Sequence, residues 1–168
     1  TVFTLSYALY KGSIDKLTYE VCVFCDAEKE RKYARVRITN YSAQSKSLEL
    51  AYTADFVLGK ENRTGALFAK KSKKSLTVVN AYERSEAVLY SPDGSISSFD
   101  GVKGAVRCVC SLDAVSSRAF YFTLGSFRFE DLSFDKERIL YKKALDGYLD
   151  VYELHTKNRD FDVFFNKF

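Results

Sequence analysis

A chain of 168 residues suits one domain that buries roughly 70% of its unfolded surface, so no disulfide scaffold is needed. Hydrophobic residues make up 46% and charged residues 29%, the balance of a globular protein. The formal charge of +4 is too small to imply nucleic acid, and no run of 18 apolar residues or signal peptide is present to imply a membrane.

With 12 Tyr, 14 Phe and a single Pro, the composition favours strands. The chain begins at Thr1 inside a strand-like run, which reads as part of a longer protein. Thr1 to Tyr10 alternates loosely and reaches Lys11-Gly12-Ser13, a turn signal. Leu17 to Cys25 predicts a strand with Leu17, Tyr19, Val21 and Val23 inward. Asp26 to Lys32 reads as a charged hairpin loop. In Tyr33 to Asn40, Ala34, Val36 and Ile38 alternate with Arg35 and Arg37. Tyr41 to Lys46 is a polar turn. The longest alternation then begins, with Leu48, Leu50, Tyr52, Ala54, Phe56 and Leu58 on one face and Ser47, Glu49, Thr53 and Asp55 on the other.

Gly59 ends that run, and a Lys-rich segment including Lys70-Lys71-Ser72-Lys73-Lys74 reads as a loop before the strand Leu76 to Tyr82. A short strand follows at Ala87 to Tyr90, then the turn Pro92-Asp93-Gly94. Ser97 to Gly104 reads as loop, Val106, Cys108, Cys110 and Leu112 as an inward strand face, and Ala119 to Leu124 as a last strand closing at Gly125. Eight or nine short strands spaced by turn residues predict a mainly β chain, an antiparallel β-sandwich. After Gly125 the period becomes helical. Ser133 is a candidate N-cap, Asp135 and Glu137 fall in the first turn, and Tyr141, Leu145, Tyr148, Leu149 and Tyr152 share a stripe. A second helical pattern from Arg159 carries Phe161, Phe164, Phe165 and Phe168, an apolar stripe built to dock on another surface or on a second copy. The expected division is a β-sandwich over 1–128 and linker helices over 129–168.

No catalytic, cofactor-binding or metal site stands out. Cys22, Cys25, Cys108 and Cys110 could be written as a zinc set. They sit in apolar strand-like runs where Cys22 and Cys25 face opposite sides, so they read as buried free thiols of a cytoplasmic protein. Asn40-Tyr41-Ser42 and Asn62-Arg63-Thr64 match the glycosylation sequon but read as turn asparagines. Arg35 and Arg37 could hold an acidic ligand, or simply line an exposed sheet face. The lysines at 70–74 lack interleaved aromatic residues and read as a solvated loop. His155 has no evident catalytic partner. Glu49 and Asp55 share a strand face, but six residues at about 3.3 Å separate them by roughly 20 Å, beyond the reach of paired glycosidase carboxylates.

Several of these residues carry a resemblance. Asn40-Tyr41-Ser42, the long strand closing in Phe56-Val57-Leu58-Gly59, and Val79-Asn80-Ala81-Tyr82 follow one another in a familiar order. Leu124-Gly125 comes next, then a helix, then Thr156, Asp162 and Asn166 at fixed spacing. The series resembles the cellobiose phosphorylase family, in its cyclic β-1,2-glucan synthase and β-1,2-oligoglucan phosphorylase branch. Two positions depart from the family pattern: Lys157 stands for its usual Pro and Phe168 for its usual Trp. The resemblance implies the N-terminal supersandwich of galactose-mutarotase-like fold, incomplete at its N-terminus, and a linker leading to a helical barrel. It also implies that catalysis belongs to that barrel, which holds the general-acid Asp and the inorganic phosphate co-substrate. The partners implied are a β-glucan or oligosaccharide and the protein's own barrel. A stand-alone carbohydrate-binding module, favoured by the aromatic content, and a protein-interaction sandwich are the other readings.

Overall fold

The computed structural model describes residues 1–3, 6–26, 30–59, 66–126, 134–149 and 156–161. Contacts divide the chain into two units, Thr1–Leu132 and Ser133–Phe168. The first is an antiparallel β-sandwich. Its strands are β1 (Val2–Phe3), β2 (Ala8–Ile14), β3 (Leu17–Asp26), β4 (Arg31–Asn40), β5 (Lys46–Asp55), β6 (Leu67–Lys71), β7 (Ser75–Asn80), β8 (Ser85–Tyr90), β9 (Ser95–Phe99), β10 (Lys103–Leu112) and β11 (Ser116–Gly125). A large sheet runs in the order β1-β2-β3-β4-β11-β8-β7-β6, and a small one in the order β5-β10-β9.

The period-two patterns place the core. Ala34 and Val36 on β4, Phe120 and Phe122 on β11, Leu89 on β8, and Leu76 and Val78 on β7 form the inner face of the large sheet. Against them lie Ala54 of β5 and Val106, Cys108, Cys110 and Leu112 of β10, with Phe56 just beyond β5. Gly104 is small because the sheets meet there: a Cβ would collide with Leu76 and Phe56. The outer face of the large sheet is buried around Cys22, Phe24, Tyr33, Val88 and Thr123, where Phe24 stacks on Tyr33 with ring centroids 4.6 Å apart.

Four expectations from the sequence are corrected. Eleven strands are present among the described residues, not eight or nine. Lys11-Gly12-Ser13 is not a turn, because β2 runs through it. At Gly12 the Tyr19 ring lies across the strand, in the place a Cβ would take. The turn is Asp15-Lys16, with φ of 45° and 59°, the two-residue geometry whose twist matches the flanking strands. Part of the Ser97 to Gly104 loop is strand, since Ser95–Phe99 pairs with β10 through a bulge at Ala105/Val106. Its polar side chains suit an edge. Lys70 and Lys71 likewise belong to the edge strand β6, paired with Thr77 and Leu76, and only 72–74 form the turn.

Each place where the chain changes sheets is pinned by a buried polar side chain. Between β4 and β5, the Asn40 amide donates to the carbonyls of Gln44, Leu112 and Asp113 at 2.8, 3.3 and 3.0 Å. Its oxygen accepts from the Ser42 N–H and hydroxyl at 3.0 and 2.7 Å. Asn80 donates to the Leu58 carbonyl beyond β5 and accepts from the Tyr82 and Glu83 N–H groups in the β7–β8 turn. After β8, Ser91 is fully buried, and Asp93 accepts from the Tyr121 N–H, extending the ladder past the end of β8.

In the second unit, α1 (Phe134–Leu149) carries Asp135 and Glu137 in its first turn, where the N-terminal helix dipole favours them. Ser133 and Tyr152 lie outside the described residues. Asn158 caps a helical turn at 159–161 by accepting from the Asp160 and Phe161 N–H groups. Phe161 is 49% exposed; Phe164, Phe165 and Phe168 lie outside the described residues.

Candidate functional site

On the outer face of the large sheet, β2, β3 and β4 form a groove of 460 Å³. The register builds it: Lys11 pairs with Glu20, and Glu20 with Arg37, across three strands, while Ser13, Thr18 and Thr39 form the next row. Tyr41, just past β4, stands at its end. Lys11 and Arg35 approach Glu20 at 3.2 and 3.4 Å. Arg37 is exposed and has no ionic partner among the described residues. The two arginines therefore separate in role. Arg35 is held on Glu20, while Arg37 is left to meet a ligand together with hydroxyls and the Tyr41 ring. Such a surface can bind an anionic or polyhydroxylated ligand. It supplies one carboxylate already neutralised by two cations, so it does not form an acid–base pair.

Sequence reasoning singled out Arg35 and Arg37 and missed Lys11, Glu20, Thr18 and Thr39. Their meeting depends on strand register, and the one available signal was the polar alternation of β2 and β3. Glu49 and Asp55 are structural: Glu49 pairs with Arg107 at 3.0 Å and Asp55 with Lys103 at 3.7 Å, both on the outer face of the small sheet. Cys22 and Cys25 face opposite sides, and no metal-binding cluster occurs among the described residues. Three of the four thiols are buried as expected, but Cys25 is exposed. Burial pushes the Cys108 thiol above its ordinary range, partly offset by the Ser91 hydroxyl. Asn40 and Ser42 of the first sequon are buried at a turn, whereas Asn62, Thr64 and His155 lie outside the described residues. Thr156 accepts from the Asn158 N–H at 3.0 Å, while Asp162 and Asn166 of the same motif lie outside them. No helix among the described residues is long and apolar enough to cross a membrane.

The sequence profile of the glycosyl hydrolase 94 supersandwich domain matches residues 1–94. The chain belongs to the glycosyl hydrolase 94 family. Those residues run from β1 to the turn after β8, so the match covers both asparagine locks. No curated protein matches the sequence. Among solved structures, a protein described as a kojibiose phosphorylase from the human microbiome aligns over 95% of this chain and 22% of its own. It has 10% identity and a TM-score of 0.48. A protein described as an aldose 1-epimerase, from Klebsiella pneumoniae subsp. pneumoniae MGH 78578, aligns over 84% of this chain and 54% of its own. It has 10% identity and a TM-score of 0.51, a likeness of fold. The glycosyl hydrolase 94 chain thus spans about a fifth of the first protein and about half of the second.

Proposed function

We propose that this supersandwich is the non-catalytic domain of an enzyme that phosphorolyses or transfers β-glucosyl units, with β-1,2-linked glucan as substrate and inorganic phosphate as co-substrate. The observation that carries the reading is the family match over residues 1–94. The order of Asn40, Gly59, Asn80, Leu124-Gly125 and Thr156 favours the β-1,2 branch. In this reading the helices after residue 128 lead to a helical barrel that bears the chemistry. The test incubates the complete natural protein, and separately residues 1–168, with phosphate and a panel of β-linked glucans. Glucose 1-phosphate should appear from the β-1,2-linked oligomers with the complete protein and from none with residues 1–168. Release from another linkage alone would overturn the β-1,2 assignment, and turnover by residues 1–168 would put the active site in this domain.

The groove beside Arg37 and Tyr41 favours a second reading, in which the domain holds a glucan chain while another domain cleaves it. Titrating residues 1–168 with β-1,2-linked oligosaccharides tests it. Saturable binding lost in Arg37→Ala supports it, and unchanged binding in that variant removes the groove from consideration.

A further inference from the structure

The groove over β2, β3 and β4 sorts its polar groups by row. Its charged row, Lys11, Glu20 and Arg37, crosses the three strands in register. Lys11 and Arg35 both sit on the Glu20 carboxylate, at 3.2 and 3.4 Å. Arg37, although directly opposite Glu20, makes no ion pair with it. On the other side, the cross-strand partner of Arg37 on β11 is Ala119, which is small and uncharged. Lys11, Arg35 and Arg37 set against the single carboxylate of Glu20 leave this end of the groove with an excess of positive charge.

The other end carries hydroxyls and a ring. One row along, Ser13, Thr18 and Thr39 line the groove, and Thr39 donates to Ser117 at 3.2 Å. Beyond them stands Tyr41, 63% exposed. Its backbone is fixed from three directions. Asn40 and Ser42 on either side are buried and bonded to each other, and the Tyr41 N–H donates to the Lys16 carbonyl at 2.8 Å. The Tyr41 side chain is thus an exposed aromatic surface on a rigid corner. At about 3.3 Å per residue it stands roughly 13 Å along the strand from Arg37.

We propose that this groove binds a sugar phosphate, with the phosphate on Arg37 and the sugar lying over the hydroxyl row against Tyr41. The proposal rests on the reading of the groove as a saccharide site and narrows its ligand. A neutral glucan offers Arg37 only hydroxyl acceptors and leaves the excess charge unanswered. A phosphate monoester carries a charge of about −1.5 to −2 at neutral pH. Its oxygens also match the planar fork of a guanidinium, and Arg37 has no carboxylate to give up first. The sugar ring then meets hydroxyls that can exchange hydrogen bonds with its own, and an aromatic face at the far end. A bare phosphate on Arg37 would not reach Tyr41, so the two ends of the groove act together only on a ligand that carries both groups.

Calorimetric titration of residues 1–168 with glucose 1-phosphate, a β-1,2-linked glucose disaccharide and inorganic phosphate tests this. Glucose 1-phosphate should bind on the order of 10-fold more tightly than either of the others, and its affinity should fall as salt is raised. Arg37→Ala should weaken it on the order of 10-fold. Tyr41→Ala, an exposed position, should weaken it several-fold. Glu20→Gln, which frees Lys11 and Arg35 from their carboxylate, should tighten glucose 1-phosphate and leave the disaccharide unchanged. Equal affinity for the disaccharide and glucose 1-phosphate would overturn the proposal and leave the glucan reading standing. Inorganic phosphate binding as tightly as glucose 1-phosphate would also overturn it, because the sugar would then contribute nothing. No binding of any of the three would remove both the proposal and the glucan reading.

Discussion

Asn40 shows how much one residue type can hold. It is fully buried, yet its amide and carbonyl oxygen each have partners, and those partners lie on the β4–β5 and β10–β11 connections. A buried donor or acceptor stripped of its partner costs about 1–3 kcal/mol. Asn40→Ala would remove the amide from the Leu112 carbonyl and leave the buried Ser42 N–H without its acceptor, while the Asp113 carbonyl keeps Ser116 and the Ser42 hydroxyl keeps Gln44, so the expected loss is about 2 kcal/mol. Urea unfolding followed by tyrosine fluorescence measures it. Asn40→Asp should also destabilise, because the carboxylate would face three carbonyl oxygens instead of donating to them. A loss within a few tenths of a kcal/mol for both variants would mean that the corner is held by its backbone alone.

At the scale of the element, the β2–β3 hairpin joins short-range turn chemistry to a distant strand. Asp15 and Lys16 take positive φ, and the Asp15 carboxylate accepts from the Lys46 ammonium at the start of β5. That hydrogen bond and the Lys46 charge hold the Asp15 carboxyl below its ordinary 3.8. A depressed folded value means the contribution is present above about 3.8 and is lost as pH falls through the folded value. Asp15→Asn keeps a residue that tolerates positive φ and removes the titration. The variant should be slightly less stable at pH 6, and the gap should close toward pH 2.5. It should also shrink in high salt, because the pair is exposed. A urea midpoint difference that persists unchanged into acid would assign the effect to the turn and not to the charge.

At the scale of the whole molecule, burial sets thiol chemistry. Cys108 and Cys110 point between the sheets, Cys22 lies in the buried patch on the outer face of the large sheet, and Cys25 is exposed at the inner face. A chromogenic disulfide reagent should therefore label one thiol quickly in the native protein and the other three only as it unfolds, with Cys25→Ser abolishing the fast phase. Burial strengthens the contrast at Cys108 by disfavouring its thiolate. Two or more fast thiols would mean that the sandwich opens far more readily than its packing implies.

Strand existence, alternation and inward faces were legible from sequence wherever a strand is half-buried in a long ladder, as in β4, β5 and β10. There the period of two is imposed by one wet and one dry face. The markers Asn40 and Asn80 were legible as family residues, though not as locks, because their partners lie up to 73 residues away. Two short edge strands were not legible. β6 ends in two lysines and β9 has three serines among its five residues, so both resemble loop in sequence, and pairing with β7 and β10 alone makes them strands. The groove beside Arg37 was hidden for a related reason, since cross-strand register sets which outer-face residues become neighbours. Local periodicity fixes which way a side chain points; only tertiary pairing decides what it meets.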